Sequence, residues 1–168
     1  MIKIGIISDT HDNLTMIRKA VEYFNNSGVE RVLHSGDFVA PFALSAFEDL
    51  ECKGVGVFGN VDGEKKGLAK KASSLGWEIN NPPYELEIDG KRMLILHEPD
   101  DLRRYVSGGS YDLIVYGHTH RLDIEREGNT LIINPGECCG WLYGKATVVV
   151  LDLVNMEAER VTLGEGEG

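Results

Sequence analysis

Apolar residues fall in short blocks along this chain, and most blocks stop abruptly at a polar side chain. Ile2 to Ser8 is a near-continuous apolar run, as a strand buried on both faces requires. Leu14, Ile17, Val21 and Phe24 then recur at helical spacing, with Asp12 or Asn13 as the cap and Gly28 past the end. Arg31 to His34 predicts a second strand. Pro41 suits the first turn of a helix running to about Leu50. Gly54 to Phe58 predicts a third strand, and Glu64 to Leu75 a lysine-rich helix.

The pattern changes in the second half, where strands dominate. Tyr84 to Ile88 and Met93 to Leu96 flank Asp89-Gly90, a hairpin turn signal. Asp101 to Val106 reads as a short helix and Leu113 to Tyr116 as a buried strand. Leu122 to Arg126 and Thr130 to Ile133 pair across Glu127-Gly128-Asn129. Ala146 to Leu153 and Glu157 to Leu163 close the chain around a turn at Val154 to Met156. Helices early and hairpins late suggest two packed sheets with helices outside. With 168 residues and no internal repeat or long linker, residues 1–163 form one expected domain, and 164–168 (GEGEG) a short flexible tail.

Charge and composition narrow the function. The formal net charge is -10, and no Lys/Arg run supplies the basic face that a nucleic-acid binder needs. Three cysteines, Cys52, Cys138 and Cys139, have no disulfide or zinc spacing and read as reduced packing residues. No stretch reads as a signal peptide or a bilayer span, so a cytoplasmic location is expected. Trp77, Tyr84, Trp141 and Tyr143 read as packing rather than as a stacking platform.

The chemistry sits at the strand ends. Ile4-Gly5-Ile6-Ile7-Ser8 leads into Asp9-Thr10-His11, and Val32-Leu33-His34-Ser35-Gly36 into Asp37. Val55-Gly56-Val57-Phe58-Gly59 leads into Asn60, Leu94-Ile95-Leu96 into His97, and Ile114-Val115-Tyr116-Gly117 into His118-Thr119-His120. Ligands of open α/β sheets gather at the carboxyl ends of strands, so these donors are expected at one edge. Each motif alone is weak, since an aspartate after glycine usually marks a turn. Together they supply only oxygen and nitrogen donors, which suits divalent cations. Collecting two carboxylates and four imidazoles in one place is costly unless a cation compensates them.

The set Asp9-Thr10-His11, Gly36-Asp37, Gly59-Asn60, His97 and Gly117-His118-Thr119-His120 resembles the calcineurin-like metallophosphoesterase superfamily. It is most similar to the small single-domain phosphodiesterase branch, on Gly59-Asn60-Val61-Asp62-Gly63-Glu64 and Ile133-Asn134-Pro135-Gly136 as well. The resemblance implies an α/β fold, a four-layer αββα sandwich of two mixed sheets flanked by helices. It implies one ion on Asp9, His11, Asp37 and His120, and another on Asp37, Asn60, His97 and His118. Two such cations about 3.5–4 Å apart would generate a hydroxide that attacks a phosphoester. No side chain would act as a covalent nucleophile, and Asn60 would also contact the phosphate. Manganese is the expected metal, with nickel, iron, cobalt or zinc as alternatives.

Two positions depart from the wider family. Val61 stands where larger relatives carry a histidine able to assist the leaving group, and Glu98-Pro99 follows His97 where relatives continue with glycine. Glu98 and His34 are candidates for outer contacts to the ligands. The reading is therefore a metal-dependent phosphodiesterase acting on a small phosphoester. The alternatives are a metal-retaining interaction scaffold of the retromer-subunit type and a nuclease. The oligomeric state is left open.

Overall fold

The computed structural model describes residues 1–165. The chain opens with β1 (Lys3–Ile7), α1 (Leu14–Asn26), β2 (Arg31–His34), a 3₁₀ segment (Pro41–Phe47), β3 (Lys53–Val57), α2 (Lys65–Ser74) and β4 (Glu78–Asn80). It continues with β5 (Tyr84–Ile88), β6 (Lys91–Ile95), α3 (Leu102–Gly108), β7 (Leu113–Val115), β8 (Leu122–Glu127) and β9 (Thr130–Pro135). It ends with β10 (Lys145–Asp152) and β11 (Glu157–Glu165). Two mixed sheets result, one ordered β11-β10-β1-β2-β3-β4 and the other β5-β6-β7-β9-β8.

Side-chain alternation produces the layers. Ile4 and Ile6 of β1 face the second sheet, packing with Leu33, Val55 and Val57 against Met93, Ile95, Leu113, Val115 and Ile133. Ile7 points the other way, into a cluster with Met16, Ile17 and Phe24 of α1, Leu44 and Phe47 of the 3₁₀ segment, and Leu68 of α2. On the far side, Leu94, Ile114 and Ile132 pack against Val106 of α3. Truncating such a buried leucine or isoleucine to alanine costs roughly 2–5 kcal/mol. This is the expected αββα sandwich.

Some details differ from the sequence reading. Residues Pro41–Phe47 wind as a 3₁₀ segment, shorter and tighter than the α-helix expected to about Leu50. Of the two expected cap residues it is Asn13 that caps α1, its side chain accepting from the Met16 N–H at 3.3 Å. β4 was not foreseen, because Glu78-Ile79-Asn80 is too short for a visible period. β11 runs through Gly164 and Glu165, two residues into the expected tail, since they pair with Ala146 and Lys145. The rest of that tail, 166–168, lies outside the described residues.

Candidate metal centre

The parallel strands β1, β2, β3, β6 and β7 all end at one edge of the sandwich, and the seven predicted donors lie there. They form two groups that share one residue. Asp9, His11, Asp37 and His120 offer ligand atoms that all lie within 4.8 Å of one another, as do those of Asp37, His97 and His118. Asp37 Oδ2 stands between the groups, 3.4 Å from His11 Nε2 and 3.3 Å from His97 Nε2. Asn60 joins the second group, its Oδ1 lying 2.8 Å from His97 Nε2 and 3.1 Å from His118 Nδ1.

Backbone conformation marks the same residues. Asp9, His11, Asp37, His118 and His120 all have positive φ, between 36° and 68°. Such left-handed conformations cost an L-residue about 1 kcal/mol or more and cluster at functional sites. The glycines before the donors permit close approach. A Cβ on Gly117 would lie 2.7 Å from Asp9 Oδ2, and one on Gly59 would collide with the Asp37 carboxylate.

The donors fit cations better than they fit one another. Asp9 and Asp37 are buried, with 0% and 2% exposure. Asp9 Oδ1 and His11 Nε2 are buried without a hydrogen-bond partner among the described residues. Leaving a carboxylate oxygen and a ring nitrogen unsatisfied is costly unless an ion occupies the space between them. Burial alone would lower the pKa values of His11 and His97. The carboxylates of Asp9 beside His11 and of Asp37 beside both reverse this, so each is raised on balance. Burial would raise Asp37, yet the His97 bond and charge hold it below the ordinary range.

Supporting contacts aim the ligand atoms. His97 Nδ1 donates to the Ser35 carbonyl at 2.7 Å, so Nε2 is the nitrogen directed at Asp37 and Asn60. His120 Nδ1 bonds Glu137 Oε2 at 2.7 Å, leaving Nε2 toward Asp9 at 3.4 Å. Glu137 is 1% exposed and also accepts from the Leu142 and Tyr143 amides at 3.0 and 2.6 Å. Asp62 ties the two ligand loops together, accepting from the amides of Asp37, Val39 and Gly59 at 2.7–2.9 Å.

The sequence reading missed Glu137 and Asp62. Glu137 was within reach of the rule that found the others, because it follows Gly136 just past the apolar strand β9. Asp62 carried no such signal.

His34 is fully buried and stacked on Phe38 at 3.7 Å. It accepts from the Gly36 amide through Nδ1 and meets Thr10 Oγ1 through Nε2, both at 3.1 Å, so it braces the loops and touches none of the seven donors by hydrogen bond. Burial pushes its pKa well below 6.5. Glu98 makes no hydrogen bond to any of the seven among the described residues, and instead stands exposed at the edge of a cavity.

Cys139 lies near His120 and Glu137, but burial pushes its thiol up to about 12 and it remains protonated. Cys138 and Cys139 are fully buried and unbridged, matching the packing role. Trp77 is buried as expected, whereas Trp141 and Tyr143 are 45% and 52% exposed beside the centre.

Known proteins resemble this chain in sequence and in fold. The family model of the calcineurin-like phosphoesterase superfamily domain matches residues 2–156. A phosphodiesterase of Methanocaldococcus jannaschii is 42% identical over 164 residues, covering 96% of this chain and 99% of that protein. The solved structure of an archaeal phosphodiesterase superposes with a TM-score of 0.92 at 40% identity, covering 96% of this chain and 99% of that one. Vps29 from Chaetomium thermophilum shares the fold alone, with a TM-score of 0.69 at 16% identity over 98% of this chain and 97% of its own.

Proposed function

The chain belongs to the calcineurin-like phosphoesterase superfamily, whose members use divalent metal ions, and from that premise we propose that it hydrolyses small phosphodiesters at a two-ion centre. One observation carries the reading: Asp37 Oδ2 lies within 3.4 Å of imidazole nitrogens from both donor groups, as a carboxylate shared by two cations would. Asp9, His11, Asp37 and His120 would hold one ion, and Asp37, Asn60, His97 and His118 the other. Bound there, such ions activate water and neutralise charge on the phosphoryl oxygens. Manganese is the ion we expect to serve best in assay, given the imidazole, carboxylate and amide donors.

The chain's own groups define the rest. Asn60 directs Oδ1 at His97 and His118, which leaves its amide N–H₂ to donate to a phosphate oxygen. Glu137 and the Ser35 carbonyl fix two imidazoles in the tautomer that presents Nε2. Val61 offers no proton where larger relatives carry a histidine, which disfavours the departure of poor leaving groups. Aryl phosphodiesters should therefore react much faster than alkyl ones. A flat rate across leaving-group acidities would contradict this.

The interaction-scaffold and nuclease readings are not favoured. The centre retains all seven donors, and the acidic chain lacks a basic run. We further propose a single catalytic domain in the cytoplasm. The three thiols are free, and among the described residues no helix is long and apolar enough to cross a membrane. The deciding experiment is elemental analysis with a phosphoester panel, after chelation and after readdition of each metal. Turnover should vanish on chelation and return best with manganese. Undiminished turnover by metal-free protein would reject the mechanism, and tight partner binding without any turnover would select the scaffold.

A further inference from the structure

The centre lies between two unlike walls. Beside Asn60 and His97 opens a cavity of about 310 Å³, at the small end of the range for small-molecule sites. Phe58, Leu96 and Tyr105 give it apolar lining, and Lys65 lies 5.5 Å from the centre of the Phe58 ring. Against that single cation the lining carries three carboxylates, Glu98, Asp100 and Asp101. Of the nearby arginines of α3, Arg103 is paired with Glu127 at 2.9 Å, and Arg104, bonded to the hydroxyl of the lining residue Tyr105 at 3.0 Å, offsets only part of the remaining negative charge.

Beside His11 and His120 the character reverses. The Trp141 indole donates to the His11 carbonyl at 3.3 Å, holding an exposed aromatic plane next to the donors. Arg121 directly follows His120, lies 5.2 Å from the Tyr143 ring centre and donates to its hydroxyl at 3.0 Å. Among the described residues no carboxylate lies within ion-pair distance of Arg121. Exposed aromatic faces beside a guanidinium that no carboxylate neutralises suit a planar or anionic group.

We propose that these walls sort the two arms of an unsymmetrical phosphodiester. The aryl or base-like arm lies on Trp141, Tyr143 and Arg121, and the cavity takes an arm that carries no further negative charge. This inference deepens the phosphodiesterase reading and rests on it. The substrate class is then an aryl or nucleoside group joined through phosphate to a neutral or amino alcohol. Polynucleotides are disfavoured, because each would bring a second phosphate against the cavity's carboxylates.

The test uses the manganese-loaded protein and two 4-nitrophenyl diesters, whose second arm is 2-aminoethyl or 2-phosphoethyl. The readout is the ratio of their kcat/KM values. Comparing variants by this ratio cancels the esters' intrinsic reactivities. The triple variant Glu98→Gln, Asp100→Asn, Asp101→Asn should lower the preference for the aminoethyl arm by about tenfold, as the loss of several partly screened charges near contact implies. Lys65→Glu should raise it. Trp141→Ala should cut kcat/KM for both esters by about fivefold, the loss of one stacking surface, and leave the ratio unchanged. Turnover with a ratio that the triple variant and Lys65→Glu both leave unmoved would overturn the sorting alone. No turnover of either ester by wild-type protein would overturn the phosphodiesterase reading and the sorting with it.

Discussion

The two donor groups share Asp37 but differ in how firmly the protein holds them. In the first group Asp9 is fully buried, bonded through Oδ2 to the Ser8 hydroxyl at 2.7 Å and the His118 amide at 3.1 Å. His120 is braced by the buried carboxylate of Glu137 at 2.7 Å. In the second group, apart from the shared Asp37, only His97 is buried and braced, while Asn60 and His118 are exposed and Asn60 Oδ1 reaches His97 at 2.8 Å and His118 at 3.1 Å. Preorganised ligands lose less entropy on binding, and a ligand fixed by a carboxylate is a better base. The first group should therefore hold its ion tightly, while the second stays open to exchange and to substrate.

The largest effect should come from breaking the group common to both halves. Asp37→Ala should lose both ions by elemental analysis and reduce turnover at least about a thousandfold. A variant that keeps one ion and half its activity would show that Asp37 is not shared. The next test separates the halves by titration. Adding manganese to chelated protein should raise Tm in two steps, the first the larger. An ion at a thousandfold excess over its Kd stabilises by about 4 kcal/mol, which is roughly 8–16 °C for a domain of this size. A single step would erase the distinction.

A finer cut falls on Glu137. Glu137→Gln can no longer accept from His120 and from both loop amides at once, and it should weaken the first ion about 10–100-fold. The second ion's affinity should change by less than about twofold. Competition with a chromogenic chelator reads the affinities, and ¹⁵N shifts of His120 read its tautomer. Equal weakening of both ions would mean that Glu137 supports the edge as a whole.

The smallest effect concerns the floor beneath both groups, where His34 joins Thr10 to Gly36. Folded His34 stays neutral because burial holds its pKa well below 6.5. The unfolded chain binds its proton below that pH, so the related stability is complete above 6.5 and lost as pH falls. The slope is about 1.4 kcal/mol per pH unit for one proton. In metal-free protein His11 and His97, raised by their carboxylates, act with the opposite sign. The difference between wild type and His34→Gln isolates the single proton, and chemical denaturation at several pH values measures it. Identical slopes would mean that His34 takes up no proton on unfolding in this range.

Much of the centre was readable along the chain, because a donor at the end of an apolar run is a local feature. Asp9, Asp37, Asn60, His97 and His118 each announce themselves in this way, and parallel pairing then carries them to one edge without further instruction. Glu137 obeyed the same rule but lay beyond the family motif that drew the eye. Asp62 follows no strand, and its role exists only because three amides from two loops converge on it.

The sequence by itself determined most of the strand blocks, the donor set, a helix start at Asp12 or Asn13 and the acidic balance, since each depends on composition or on neighbours a few positions away. Only the tertiary structure decided that β10 returns to pair with β1, that Asp62 gathers amides from two ligand loops, and that Trp141 and Tyr143 stand exposed beside the centre. Those outcomes depend on which faces meet across long separations. Hydrophobic period reports that a residue is turned inward or outward, but never which distant residue it will meet.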